Sequence, residues 1–127
     1  MYSVVMENRW PESNEAPPAV SLVIPAFNEE LSIAAVVEKA RSVLHASVSH
    51  SEILVVDDGS SDRTAEFAAQ AGARVVSHPY NRGYGNSLKS GISAARYEDV
   101  IICDADQSYP LDDLPLLLHD EIGRAHV

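Results

Sequence analysis

The chain has 127 residues, enough for one modest domain around a single core. Hydrophobic residues make up 46% of it, which argues against wholesale disorder, and a formal net charge of -10 repels nucleic acid phosphates, so no nucleic acid partner is expected. Cys103 is the only cysteine, so there is no disulfide framework or thiolate metal site, and a reducing, cytoplasmic compartment is expected. No apolar run is long enough to cross a bilayer, and Glu7, Arg9 and Glu12 leave no room for an apolar signal region.

Met1 to Pro18 is polar and carries Pro11, Pro17 and Pro18, so residues 1–18 read as a flexible leader. Val20 to Ile24, closed by Pro25, reads as a buried strand. Ser32 to Leu44 places Ile33, Val36, Val37, Ala40, Val43 and Leu44 at helical spacing. Glu52 to Val56 is a second strand, ended by Asp57-Asp58-Gly59. Ser61 or Asp62 can cap a helix running to about Gln70, with Gly72 as its stop. Arg74 to Ser77 predicts a third strand, Asn81 to Gly85 a Gly-rich turn, Ser87 to Ala95 a third helix and Val100 to Cys103 a fourth strand. Asp112 to Leu118 reads as a short helix despite Pro115.

Strands alternating with helices imply an α/β fold with a mostly parallel sheet and helices on both faces. Ligands of such sheets bind beyond the carboxyl ends of the strands. Polar residues gather there: Asn28, Glu29 and Glu30 after the first strand, Asp57 and Asp58 after the second, Asp104 and Asp106 after the fourth. Clustered carboxylates repel one another unless a cation or hydrogen-bond donors compensate, so their gathering at one edge marks a candidate site.

Asp104-Ala105-Asp106 leaves an apolar strand, and alternation would put both carboxylates on one side of an extended segment, facing one cation. Hard oxygen ligands suit Mg or Mn, which also coordinate phosphate. Asp106 is the candidate catalytic residue, because a cation held there could neutralise a leaving diphosphate. Asp57 could accept hydrogen bonds from a base or ribose, whereas Asp58 and Ser60 could equally build the turn and cap the next helix. Glu29 is also what a helix macrodipole favours near its start. Arg82, in Asn81-Arg82-Gly83-Tyr84-Gly85, brings one cation beside a helix start, where a phosphate can bind. Gly83 to Ser90 fails both the P-loop and the dinucleotide fingerprint, because Leu88 stands where the second glycine must be. An EF-hand centred on Asp104, Asp106 and Ser108 fails at Tyr109 and Pro115. The histidines at 45, 50, 78, 119 and 126 lack metal-ligand spacing and read as surface or packing residues, and no Ser-His-Asp order is apparent.

Taken together, SLVIPAFNEE, EILVVDDGSSDRT, NRGYGNSLKSGI and DVIICDADQSYPLDDLP resemble family 2 glycosyltransferases of the Rossmann-like GT-A fold, and within them the polyprenyl-phosphate (dolichyl-phosphate) mannose or glucose synthases. The resemblance covers about Ala19 to Leu118. It implies a nucleoside-diphosphate sugar donor, UDP- or GDP-hexose, held by Pro25, Ala26, Asn28, Glu29, Asp57, Arg82 and Asp104. It further implies Mg or Mn on Asp104 and Asp106, and transfer of the hexose to an acceptor such as a polyprenyl phosphate at the cytoplasmic face of a membrane. Lipid-linked sugar synthases often carry a glutamine two places after the second aspartate; here Ser108 stands there and Gln107 is one place early. The family's acceptor site and, in many members, its catalytic base lie beyond the second aspartate motif, so residues 19–120 would be the nucleotide-sugar-binding, N-terminal part of the fold. Glu121 to Val127 (EIGRAHV) matches the in-frame translation of a common sequencing adapter and is expected to be non-native, with the chain a fragment. The alternative is a receiver domain beginning near Ile53, with Asp57 and Asp58 holding Mg and Asp104 receiving phosphate; it leaves VSLVIPAFNEE unexplained.

Overall fold

The computed structural model describes residues 3–5 as backbone, 19–106 and 111. The helix expected at Asp112 to Leu118, Gln107, Ser108 and the tail from 121 lie outside the described residues. In chain order the elements are β1 (Ser3–Val5), β2 (Ala19–Ala26), α1 (Ile33–Ser47), β3 (His50–Asp57), α2 (Thr64–Gln70), β4 (Arg74–Ser77), α3 (Tyr84–Ala94) and β5 (Val100–Ile102).

The strands form one sheet in the order β1-β5-β2-β3-β4, with β2, β3, β4 and β5 mutually parallel. β1 pairs antiparallel with β5, Ser3 opposite Ile102. That edge strand lies in the leader, where no alternation of sequence predicts it. β2 is central: it runs beside β3 from Ala19↔His50 to Ala26↔Asp57, and beside β5 from Ser21↔Val100 to Val23↔Ile102.

Pleating explains why these strands are nearly continuous apolar runs. Val20, Leu22, Ile24, Ile53, Val55 and Ile101 pack with Ile33, Val36, Val37, Ala40 and Leu44 of α1 and Ala68 of α2. Val23, Leu54, Val56, Val100 and Ile102 form the core on the opposite face, against Leu88 and Ala94 of α3. A sheet covered on both faces has no polar side to present. α3 comes unusually close: a Cβ on Gly91 would lie 2.4 Å from Val23 Cγ1. α2 ends as predicted at Gly72, where Gly72 N–H donates to Ala69 and Ala73 N–H to Ala68, the paired bonds of a Schellman stop.

The larger cavity, about 730 Å³, lies at the foot of the sheet, at the N-terminal ends of β3 and β4, far from the acidic edge. Two of the three arginines that line it have structural employment. Arg41 Nη1 donates to Ala71 O at the end of α2 (2.9 Å), and Arg74 donates to Glu52 (2.9 Å) and to Ala94 O at the end of α3 (2.6 Å). Both arginines cap helix C-termini, so no ligand is needed to explain them. Among the described residues, no helix is long and apolar enough to cross a membrane.

Candidate functional site

β2 leads through α1 and α2 to β3 and β4 on one side, and α3 then carries the chain back to β5 on the other. This reversal puts the topological switch point between the carboxyl ends of β2 and β5, where such sheets open a crevice. β5, β2 and β3 are neighbours, so the three acidic strand ends share one edge, as predicted. Pro25 fits this geometry. Val23 turns its carbonyl to β5, accepting Cys103 N–H at 3.0 Å, and Pro25 two residues on faces the same way, past the last paired residue. Its missing N–H therefore costs no ladder bond.

The β2–α1 and β3–α2 loops are stapled together. Asn28 adopts a left-handed backbone (φ 53°). Its N–H donates to Ser60 Oγ at 2.8 Å, and its Oδ1 accepts Ser61 N–H at 2.9 Å. Glu29 N–H donates to Thr64 Oγ1 (2.9 Å), Glu30 N–H to Asp62 Oδ2 (3.2 Å), and Arg63 N–H back to Glu30 Oε1 (3.0 Å). Asp62 also accepts the Thr64 N–H (3.0 Å), but the N-cap position of α2 falls to Arg63 and not to the expected Ser61 or Asp62. The side-chain carbonyl of Asn28, a residue expected on the nucleotide, is thus engaged in the staple.

The acidic residues meet at one edge without converging on one point. Asp57 is buried and accepts Ser60 N–H at 3.2 Å in its own turn. Asp58 accepts Arg82 N–H on Oδ1 (2.8 Å) and Gly83 N–H on Oδ2 (2.9 Å). Burial opposes its charge, but the bonds from His78, Arg82 and Gly83 outweigh burial and hold its pKa below the ordinary aspartate value. Gly59 lets the two loops touch: its φ is +75°, and a Cβ there would fall 2.3 Å from the Tyr80 carbonyl carbon. Glu29 Oε2 lies 3.0 Å from Ser32 Oγ and competes with a backbone carbonyl for that hydroxyl's one proton. Among the described residues, no group of three or more His, Cys, Asp or Glu side chains could hold a metal. The expected compensation is therefore mostly local: hydrogen-bond donors satisfy Asp57 and Asp58 individually.

Asp104 and Asp106 remain at the switch point. β5 ends at Ile102, Asp104 is half-buried, and Ala105 and exposed Asp106 form a turn. The extended geometry inferred from D-x-D alternation is therefore replaced by a bend. Burial pushes the Cys103 thiol up to about 11, and the nearby Asp104 and Asp106 carboxylates add to the rise. Ser32 hydroxyl donates to Ala105 O at 2.8 Å, linking the start of α1 and Glu29 to this turn. Ser32 sits at the α1 N-cap position without capping it, so its hydroxyl serves the site instead. In the sequence Ser32 shows only as the first residue of a helix.

At the same edge of the sheet lies a cleft of about 240 Å³ bounded by Pro25, Ala26, Phe27, Asp58, Gly83 and Tyr84. Pro25 and Ala26 line this cleft, whereas Asn28, Glu29, Asp57, Arg82, Asp104 and Asp106 are not among its lining residues. Arg82 contributes its backbone N–H to Asp58, and its side chain is exposed. α3 starts at Tyr84, one turn earlier than predicted, because Gly83 (φ 96°) breaks the chain just before it. Tyr84 is 57% exposed; partial burial raises its phenol pKa, and the Asp104 charge raises it further. Phe27, Tyr84 and His78 were not predicted as site residues. The available signal was their position immediately after a strand or at a helix start on the acidic edge.

The chain matches Glycosyl transferase family 2 over residues 21–120. It is 36% identical over 105 residues to the undecaprenyl-phosphate 4-deoxy-4-formamido-L-arabinose transferase of Edwardsiella ictaluri, covering 78% of this chain and 32% of that protein. Its fold is similar to mannosyl-3-phosphoglycerate synthase from Rubrobacter xylanophilus (TM-score 0.72, 26% identity, 84% of this chain and 36% of that one). It is likewise similar to glucosyl-3-phosphoglycerate synthase from Mycobacterium tuberculosis, in a complex with Mn2+, UDP and phosphoglyceric acid (TM-score 0.65, 31% identity, 79% and 38%). Another complex of that enzyme holds Mg2+ and UDP. The chain spans about a third of the length of these relatives. The parallel sheet with helices on both faces is the GT-A fold that the motifs led us to expect. A receiver domain starting near Ile53 would exclude β2, yet β2 is the central strand and the match begins within it. Motif order, switch-point geometry and these likenesses agree: the chain belongs to glycosyl transferase family 2.

Proposed function

We propose that this chain forms the donor-binding part of a hexosyltransferase, which moves a hexose from UDP- or GDP-hexose to an acceptor, with a polyprenyl phosphate at the cytoplasmic face of a membrane as the acceptor class. The observation that carries the reading is the Pro25–Ala26 cleft at the carboxyl edge of the sheet, whose wall residue Tyr84 feels the charge of Asp104. The cleft would take the nucleoside. The diphosphate would extend toward the turn and the start of α3, whose first turn carries no acidic residue and whose dipole favours an anion.

Asp104 and Asp106 fit Mg or Mn as a pair. Such a cation binds through one or two carboxylates and completes its shell with phosphate oxygens and water, so a third protein ligand is not required. When bound, the cation would supply charge neutralisation for the departing diphosphate. Asp106, exposed in the turn, would hold the cation on the phosphate side. Half-buried Asp104 would sit nearer the ribose and sugar. Ser32 would keep the turn in register through Ala105 O. A phosphate acceptor is already anionic and needs little base catalysis, so stabilising the leaving group would carry most of the rate. The likeness to an undecaprenyl-phosphate transferase supports that acceptor class, and the Mn2+ and UDP complex of a structural relative supports the donor and the ion.

Isothermal titration with UDP-glucose and GDP-mannose, with and without MnCl2, tests this reading. Binding of one nucleotide sugar that strengthens at least about tenfold with Mn is the expected result. Absence of binding to either, together with acetyl-phosphate labelling of Asp104, would overturn it.

A further inference from the structure

Asp58, His78 and Ser90 form a relay to which neither the motifs nor the family match assigns a role. His78 follows β4 and is buried. Its Nδ1 lies 2.7 Å from Asp58 Oδ1 and its Nε2 lies 2.8 Å from Ser90 Oγ. An ionised carboxylate can only accept, so Nδ1 carries a proton toward Asp58, while Nε2 bonds the Ser90 hydroxyl, which can donate or accept. The connectivity is that of a hydrolase triad, but the surroundings are not. Neither His78 nor Ser90 lines the cleft, and both Asp58 oxygens also accept backbone N–H groups.

The relay ends on the backbone of the cleft wall. Asp58 holds Arg82 N–H and Gly83 N–H, the two residues that lead into α3, and Gly83 and Tyr84 border the cleft. Ser90 lies further along the same helix. His78 N–H also donates to Asp57 O at 2.8 Å, which ties the imidazole's own backbone to the end of β3. Bridging Asp58 and Ser90 at once takes a donor toward the carboxylate and a second polar atom toward the hydroxyl, and the two ring nitrogens of His78 supply both.

We propose that His78 is a positioning residue for donor binding: braced by Ser90, it orients the Asp58 carboxylate that holds the Arg82–Gly83 backbone, and so sets the wall of the cleft that receives a nucleoside diphosphate. The proposal rests on the donor-site reading of that cleft.

The test compares the full chain with H78L, H78N and S90A. Two quantities are read: hydrogen exchange of the Arg82 and Gly83 amides, and calorimetric binding of UDP and of GDP with MnCl2. H78L is expected to exchange both amides faster and to bind nucleotide about tenfold more weakly. In H78N, where an amide can still donate to Asp58, both effects should largely reverse, whatever happens to the melting temperature. S90A, which keeps the Asp58 contact, should fall between H78L and the unsubstituted chain. Unchanged exchange at the two amides in H78L would overturn the positioning role. So would H78N matching H78L with losses that merely follow global stability. If H78L fails to fold, H78N and S90A carry the same comparison. Failure of the unsubstituted chain to bind either nucleotide would instead overturn the donor-site reading, and with it the role in donor binding; the exchange result still decides whether His78 holds the loop.

Discussion

Glu52 gathers donors at the foot of the sheet. Ser21 Oγ donates to Oε2 at 2.6 Å, Arg96 N–H to the same oxygen at 2.6 Å, and the Arg74 guanidinium to Oε1, while the Glu52 side chain is only 8% exposed. Burial opposes its charge, but the bonds from Arg96, Ser21 and Arg74 win and lower its pKa. A carboxyl lowered on folding adds stability above its unfolded pKa and loses it as pH falls through the folded one. Stability should therefore decline from about pH 4 downward. Glu52→Gln should cost about 1–3 kcal/mol at neutral pH and flatten that acid limb in part, since Asp58 is lowered too. Urea midpoints between neutral and acid pH check this, and an unchanged acid slope would remove Glu52 from the account. At the site, Asp106→Asn should weaken Mn-dependent nucleotide binding while the melting temperature stays put; unaltered affinity in titration would take Asp106 out of the metal site.

Elements meet here through small residues at defined places. Gly91 lets α3 press onto Val23 and Val56, whose methyls would lie 2.4 and 3.2 Å from an added Cβ. Gly91→Ala should therefore destabilise by about 1–3 kcal/mol through overpacking, read from denaturant midpoints. Were it neutral, α3 would have to sit further from the sheet. The loop staple allows a finer comparison. Asn28→Gly keeps the left-handed backbone but removes the acceptor for Ser61, and should cost about 1 kcal/mol. Asn28→Ala keeps a Cβ in that conformation without the polar side chain that lets asparagine adopt it, and should cost about 1 kcal/mol more than the glycine variant. Equal losses in the two variants would mean that the backbone conformation carries no penalty. Helix and strand positions were readable because periodicity of apolar residues survives in sequence. Cap details were not: Ser32 and Gly83 differ from their predicted roles because each answers to a partner far along the chain, Ala105 for the first and Asp58 for the second.

At the scale of the whole molecule, a chain of net charge -10 is a poor host for a diphosphate by itself. Removing divalent cations with EDTA should therefore cut UDP or GDP affinity by at least about tenfold, and added Mn or Mg should restore it. Calorimetry in matched buffers checks this; equal affinity in EDTA would place the diphosphate on protein donors alone. The sequence by itself determined the α/β class, the gathering of Glu29, Asp57 and Asp104 at one edge, and the family, because strand order and motif order are written along the chain. Only the tertiary structure decided which carboxylates share a task. Asp58 accepts backbone N–H groups from a loop about 25 positions on and Asp62 accepts Glu30 N–H from the neighbouring loop, whereas Asp57 finds its donor in its own turn, whose bend no sequence pattern prints. It left Asp104 and Asp106 together at the switch point, in a turn instead of the extended segment that alternation implied, and it joined Asp58 to His78 and Ser90, which no spacing in the sequence brings together.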